Sequence, residues 1–316
     1  MLVVTGGMGF IGSNLVHALN ARGRKDLLVV DDLTDGTKFR NVVSADLAGY
    51  LDKSRFLDLV RAGDGSLATI EAIFHQGACS STTEWDGRMM MDTNYAYSRA
   101  LLDFATARGI PFIYASSASV YGGGNVFREE RRFEAPLNVY GYSKFLFDEH
   151  VRGLGKTSHQ VVGLRYFNVY GPREAHKGPM ASVAFQLHGQ LRDTGRIKLF
   201  RGVDGYGDGE QRRDFVHVDD VVAANLWFLD HPSKSGVFNC GTGKSQSFND
   251  VAHAVLRHHG RGEIEYVAFP ETLRGRYQSF TEADVTRLRE AGCDVPFRRV
   301  EEGVASYLRW LDSGAP

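Results

Sequence analysis

A doubly wound parallel α/β sheet followed by a smaller mixed α/β region is the fold class predicted for this chain of 316 residues, on three observations. Short apolar or β-branched runs recur between helical stretches through the first half, three spaced glycines follow the first run, and the alternation loosens beyond about residue 171. The runs at 2–5, 27–31, 72–75, 112–116 and 160–166 are the expected strands, and the stretches 13–22, 92–108 and 140–154 carry helical spacing between them. Two further helices are expected at 180–194 and 248–259. The stretch Gly202-Val-Asp-Gly-Tyr-Gly-Asp-Gly209 has no apolar periodicity and is expected to be a mobile loop. Ligands of such sheets sit at the carboxyl ends of the strands, so the chemistry is sought there.

Composition bounds the function. The chain is 43% apolar and 24% charged with a net charge of −1, so it has a core but no general attraction to nucleic acid or to an anionic membrane. Cys79, Cys240 and Cys293 are odd in number and lack metal-ligand spacing, which predicts reduced thiols, no metal site and a cytoplasmic protein. No apolar run approaches a membrane span, and the first residues lead into the glycines without a charged leader, so no export signal is expected.

In Thr5-Gly-Gly-Met-Gly-Phe-Ile-Gly12, the residues Gly6, Gly9 and Gly12 follow a strand and open a helix, where missing side chains permit a tight turn and close approach of a pyrophosphate. Asp31 ends the second strand 31 − 12 = 19 residues later, where a carboxylate meets ribose hydroxyls. Asp31 alone indicates NAD, whereas Lys38 and Lys53 could neutralise a 2′-phosphate; as residues, the two lysines read equally well as solvated surface charges. Tyr140-Gly-Tyr-Ser-Lys144 places a phenol and an ammonium one helical turn apart, and the ammonium favours the phenolate. With 13 tyrosines among 316 residues, one accidental Tyr-x-x-x-Lys is worth about 0.4 occurrences, so its place downstream of the glycines carries the argument. The similar Tyr95-Ala-Tyr-Ser-Arg99 carries arginine and reads as packing. In Ser116-Ser-Ala-Ser-Val-Tyr121, Ser117 is placed to hydrogen-bond a reacting oxygen, with Ser116 and Ser119 as competitors.

The glycine motif, the serine segment, Tyr140/Lys144 and Arg165-Tyr-Phe-Asn-Val-Tyr-Gly-Pro172 resemble the extended short-chain dehydrogenase/reductases that modify nucleotide sugars, over nearly the whole chain. This resemblance implies a Rossmann-type NADP-binding domain at 1–170, with some later segments returning to it, and a mainly substrate-binding domain at 171–316. Within the family, Cys79-Ser-Ser-Thr-Thr-Glu-Trp-Asp-Gly87, Asn168-Val-Tyr-Gly-Pro-Arg-Glu-Ala-His-Lys-Gly178 and Leu273-Arg-Gly-Arg-Tyr-Gln278 are similar to the branch that epimerises ADP-linked glycero-manno-heptoses at C6, for lipopolysaccharide core precursors.

That likeness implies catalytic roles for Tyr140, Ser117 and Lys144, with Lys177 as a second acid/base. It implies NADP, with Lys38 and Lys53 on the extra phosphate. It lines the cofactor with Gly6, Gly9, Phe10, Ile11, Gly12, Asp31, Asp32, Gln76, Gly77, Ala78, Cys79, Ser80, Thr93, Asn94, Lys144, Val169 and Lys177. Substrate contacts are implied at Asn168, Pro179, Gln186, Phe200, Arg201, Gly202, Val203, Arg213 and Tyr277. Arg213 suits a diphosphate because a guanidinium fork binds phosphate bidentately, and Arg212 competes for the role. The 203–209 loop is longer than the family's usual link, and Pro179 stands where a small polar residue is usual, leaving only backbone contact there. The resemblance also implies a homo-oligomer, specifically a homopentamer. A UDP-hexose 4-epimerase shares the glycines, serine and Tyr/Lys pair but needs no Lys177, and a noncatalytic NADP-sensing protein would not need Tyr140, Lys144 and Ser117 together. A 4,6-dehydratase would carry an Asp-Glu pair where Ala118-Ser119 stands.

Overall fold

A computed structural model describes residues 1–271 and 278–314. Strand β1 (Leu2–Thr5) runs into helix α1 (Phe10–Ala21), followed by β2 (Leu27–Asp31), β3 (Gly49–Asp52), α2 (Lys53–Ala62) and β4 (Ala72–His75). Helix α3 (Gly87–Met90) passes through a π-helical turn, Met91–Ala96, into α4 (Tyr97–Arg108), ahead of β5 (Phe112–Ser117), α5 (Val139–Gly153) and β6 (Val161–Tyr166). Beyond these come β7 (Asn168–Tyr170), α6 (Val183–Thr194), β8 (Arg196–Phe200), β9 (Arg212–Arg213), β10 (Phe215–His217), α7 (Val218–Asp230) and β11 (Gly236–Cys240). The last elements are β12 (Gln246–Ser247), α8 (Phe248–His259), β13 (Glu263–Val267), α9 (Thr286–Glu290) and α10 (Val300–Asp312).

Seven strands pair in parallel in the order β11-β6-β5-β4-β1-β2-β3. Chain direction across the sheet reverses at β1, which lies between β2 and β4, and this switch point is where the loops after β1 and β4 part to leave a crevice. Period-two alternation sends Val4 and Val29 to one face, against Leu15, Val16 and Leu19 of α1 and Val221, Val222 and Phe228 of α7. Val3 and Val30 point to the other face, against Phe56 of α2, Leu101 and Leu102 of α4 and Phe147 of α5. A separate core joins α6, α8 and α10 through Leu187, Leu191, Val251, Val255, Val304 and Leu308. Helix α8 has sharp ends: Ser247 and Asp250 form a reciprocal capping box, and Gly260 closes it at φ +63°. Among the described residues no helix is long and apolar enough to cross a membrane.

Two sheet strands lie outside the sequence expectation. β3 is an edge strand of four residues with alternate side chains exposed, and β11 brings residues 236–240 back to pair with β6. The helix expected at 180–194 starts at Val183 because the Ser182 hydroxyl caps it by accepting from Phe185 N–H, while Met180 closes the preceding turn.

Beneath the carboxyl end of β5 lies a buried charged cluster. Arg165 of β6 donates from Nε to Asp148 Oδ2 at 2.8 Å, pairs with Glu134 at 2.6 Å, and donates from Nη1 to the Tyr121 hydroxyl at 3.0 Å. Tyr114 and Ser116 donate to the two oxygens of Asp148 at 2.9 and 2.8 Å. Removing the cation leaves the buried Asp148 carboxylate without a positive partner, whereas Glu134 keeps Arg152 at 2.7 Å. Arg165→Leu is therefore expected to lower unfolding free energy by about 3–5 kcal/mol, measured by urea denaturation followed by circular dichroism.

Candidate active site

The crevice begins at a turn with no space for side chains. Gly6 adopts φ +64°, and a Cβ there would lie 2.6 Å from the Gly77 backbone; at Gly12 a Cβ would fall 2.1 Å from the Gly6 carbonyl oxygen. Helix α1 consequently starts hard against the turn, and Gly9 caps it without a side-chain hydrogen bond, so the first-turn N–H groups and the helix dipole face the crevice. Phe10 is buried and Ile11 half-buried behind them. This cradle fits a dinucleotide pyrophosphate.

Asp31 is buried and braces the turn from below. Its Oδ2 accepts from Met8 N–H at 2.8 Å, and its Oδ1 accepts from Asp32 N–H at 2.7 Å and Lys38 Nζ at 2.6 Å. Lys53, the first residue of α2, pairs with Asp32 at 2.6 Å, and that contact, with the Thr34 hydroxyl and N–H, holds the Asp32 carboxyl well below the usual carboxylate range. Both candidate phosphate-binding lysines thus stand at the end of β2, each on a carboxylate.

On the other flank the loop after β4 carries Gln76, Gly77, Ala78 and Cys79, all half-buried, and the exposed Ser80. Gln76 accepts from the Tyr166 hydroxyl at 2.9 Å. Asn94, in the π-helical turn beside Thr93, fixes this loop. Its side chain accepts from Cys79 N–H at 2.8 Å and donates to Cys79 O at 2.9 Å and to Ser143 Oγ of α5 at 3.1 Å. Ser143 in turn donates to Tyr140 O at 2.7 Å.

Tyr140 lies in the first turn of α5, which Asn138 caps by accepting from Gly141 N–H at 2.8 Å. Burial pushes its phenol up, while a hydrogen bond with Ser117 opposes the shift. Ser117 also caps the turn that follows β5, accepting from Ser119 N–H at 3.1 Å. Ser116 is turned away onto Asp148, so of the three serines Ser117 is the one joined to the tyrosine. Lys144 is buried and donates from Nζ to Ala115 O at 2.8 Å. Burial lowers its pKa from 10.5 to about 8, with Asp148 opposing.

Lys177 comes from a different direction. It stands on the turn Ala175–Met180 with its Nζ 5.0 Å from the centre of the Phe10 ring and 4.0 Å from Glu174 Oε2. Burial lowers its pKa and Glu174 opposes. Among the candidate sugar-side residues, Asn168 is exposed on β7 beside half-buried Val169, Pro179 is exposed, and Gln186 donates to Gly178 O at 2.8 Å. Arg213 is buried with its guanidinium 5.7 Å from the Phe248 ring centre, whereas Arg212 is held on Ser245 O at 2.6 Å. Phe200, Arg201, Gly202 and Val203 lead into the glycine-rich stretch. There Gly209 N–H donates to Phe200 O at 3.0 Å and Gly202 N–H to Asp208 at 2.9 Å, closing the loop on itself. Tyr277 lies outside the described residues.

Sequence reasoning missed His75, which links both flanks. Its ring nitrogens lie 2.6 Å from Thr5 Oγ1 and 2.7 Å from Ser98 Oγ, and Ser98 donates to Asn94 O at 2.6 Å. Burial lowers its pKa to about 3, so the ring is neutral. Since the Ser98 proton is committed to Asn94, Nε2 must donate and Nδ1 must accept from Thr5. A lone apolar-flanked histidine offers no sequence signal for this.

A helix N-terminus shaped for a dinucleotide, set beside a tyrosine with its serine and a buried lysine, defines an enzyme of the nicotinamide-dependent class acting on alcohol or carbonyl carbon. The chain belongs to the NAD dependent epimerase/dehydratase family, whose model matches residues 2–241. It is 60% identical over 98% of its length to the ADP-L-glycero-D-manno-heptose-6-epimerase of Alkalilimnicola ehrlichii, 96% of which is covered. The solved Helicobacter pylori ADP-L-glycero-D-manno-heptose-6-epimerase superposes with a TM-score of 0.86 at 33% identity, covering 99% of this chain and 96% of that one. The Thermus thermophilus UDP-glucose 4-epimerase in complex with NAD gives 0.78 at 26% identity, over 98% and 97% of the two chains.

In the protein without ligand, the Lys144 amine is expected to titrate near pH 8, charged below and neutral above. Because its folded pKa lies below the 10.5 of an unfolded lysine, its contribution to stability rises with pH between those values. The Cε resonance in lysine-labelled protein, assigned by its loss in Lys144→Met, reads this directly; a midpoint near 10.5 would contradict it.

Proposed function

We propose that this chain is the C6 epimerase of an ADP-linked heptose, interconverting ADP-D-glycero-D-manno-heptose and ADP-L-glycero-D-manno-heptose with NADP as cofactor. The observation that carries the reading is that two side chains able to carry protons are each tied back to the glycine turn: Tyr140 through Ser143, Asn94 and the loop from Gly77 to Cys79, Lys177 through the Phe10 ring. The 60% identity to a heptose epimerase over 98% of the chain supports the substrate.

When bound, the nicotinamide ring supplies a hydride acceptor and donor. Inverting C6 requires the sugar to present first one face and then the other, and the oxygen on C6 moves with it. One fixed phenol serves a single pose. Tyr140, steadied by Ser117, exchanges the hydroxyl proton in one pose and Lys177 in the other. Both groups need to pass through a neutral and a charged form, and burial already disfavours the charged form of each. Lys144, held on Ala115 O, orients the nicotinamide ribose and supports the phenolate.

Residues 1–170 hold the dinucleotide and residues 171–316 mainly the nucleotide sugar. Asn168, Pro179 through its backbone, Gln186, Phe200–Val203 and Arg213 face the substrate, with Arg213 on the diphosphate; for Tyr277, outside the described residues, a substrate contact rests on the family resemblance alone. Lys38 and Lys53 neutralise the 2′-phosphate of NADP, exchanging part of their present contacts with Asp31 and Asp32. The enzyme works in the cytoplasm as a homopentamer, which light scattering of the purified protein tests.

Purified protein is expected to interconvert the two epimers without net consumption of NADPH and without deuterium from heavy water at C6; label at C6 would rule out direct hydride return. Tyr140→Phe and Lys177→Met should each slow epimerisation by roughly 10²–10⁴-fold while the fold and bound cofactor are retained. Near-normal turnover in Lys177→Met would remove the second acid/base. Lys53→Ala should weaken NADP binding by about tenfold or more and leave NAD binding nearly unchanged, as measured by calorimetry; equal loss for both would return the lysine to a general surface role.

A further inference from the structure

Lys177 stands on a loop that is held shut by one buried carboxylate. Glu174 has no exposed side-chain surface, and its two oxygens are shared between the ends of the 171–182 segment. Oε1 accepts from Gly171 N–H at 3.3 Å and from Ser182 Oγ at 2.6 Å; Oε2 accepts from Ser182 N–H at 2.6 Å. Ser182 is the cap of α6, so the carboxylate also sits at the positive end of that helix. The middle of the loop is pinned separately. His176 shares a hydrogen bond of 3.2 Å with Asn41, which itself donates to Met8 O of the glycine turn at 2.9 Å, and Gln186 holds Gly178 O. Lys177 projects between these anchors onto Phe10.

We propose that Glu174 is the positioning residue for Lys177: it clasps both ends of the loop and sets the amine over the first turn of α1 within range of its own charge but outside hydrogen-bond contact. This rests on the reading of Lys177 as an acid/base. At 4.0 Å the two are too far apart for a hydrogen bond, so the ammonium protons stay available to substrate while the carboxylate stabilises the charged form. A clasp of this kind needs an acceptor on both oxygens, because the Gly171 and Ser182 groups that bond it are donors. Glutamine would turn an NH₂ group towards at least one of them. The other titratable neighbours are His176 on the same loop, with Lys38, Asp31 and Asp35 beyond it, and Tyr307 of α10 beside Glu174.

The test uses NADP-loaded, [13Cε]lysine-labelled enzyme with Lys177 assigned by its loss in Lys177→Met. In Glu174→Gln the Lys177 pKa is expected to fall, and the limb of the kcat–pH profile governed by it should move with it. Turnover should drop roughly tenfold or more with little change in KM. Ser182→Ala, which removes a clasp donor and leaves both charges, should reduce kcat severalfold without moving that pKa, and it decides the matter should Glu174→Gln not fold. An unmoved Lys177 titration in Glu174→Gln, or undiminished turnover in Ser182→Ala, overturns the proposal. Retained turnover in Lys177→Met would instead remove the acid/base reading, and the titration in Glu174→Gln would still decide for or against the clasp.

Discussion

The arrangement depends on one contact that excludes side chains, the approach of the Gly6 carbonyl to Gly12 and of the Gly6 backbone to Gly77. With Cβ positions only 2.1 and 2.6 Å from backbone atoms, β1, α1 and the loop after β4 are locked into one unit. From that unit the loop reaches Asn94, Asn94 reaches Ser143, and Ser143 reaches the Tyr140 carbonyl, so the position of the phenol is inherited from the packing of glycines. The same turn receives Asn41 and, through it, the loop that carries Lys177. Tyr140 and the Lys177 loop are therefore referenced to a common backbone origin, which suits the proposed chemistry, in which a single carbon is addressed from two sides.

Burial supplies the electrostatics. Tyr140 is pushed up and Lys144 and Lys177 are pushed down by the same cause, loss of water around the charged form, and each is opposed by a single neighbour: Ser117, Asp148 and Glu174 respectively. Arg165, Asp148 and Glu134 lie directly below, fully buried, and Arg152 on Glu134 supplies the second positive charge that balances the two carboxylates.

What could be read in the sequence follows from what is local. Central strands announce themselves as short apolar runs, and Gly6, Gly12, Tyr140 and Lys144 do so because spacing along one turn or one helix face is a property of the chain itself. β3 escapes because its only two apolar residues, Tyr50 and Leu51, stand between a glycine and an aspartate on a half-exposed edge, and β11 because its apolar run falls in a region where the alternation has already loosened. The choice between Ser116 and Ser117 needs the strand's facing, since adjacent residues point to opposite sides and one of them meets Asp148. The two-sided role of His75 is a long-range contact, and the pairing of Asp31 with Lys38 and the clasp at Glu174, though short in sequence, join donors and acceptors across irregular loops; in none of these does neighbouring sequence hold a periodic trace.

The seventh strand has a consequence for how the chain is made. β6 is buried along its whole length, yet its outer edge is covered only by β11, which follows roughly seventy residues later in the chain. During synthesis the ribosome delivers that cover seconds after β6 has emerged, and for that interval the nascent sheet carries an apolar, unpaired edge able to bind another extended chain. The polypeptide between them, including the Lys177 loop and α7, is thus a delay as well as a structure.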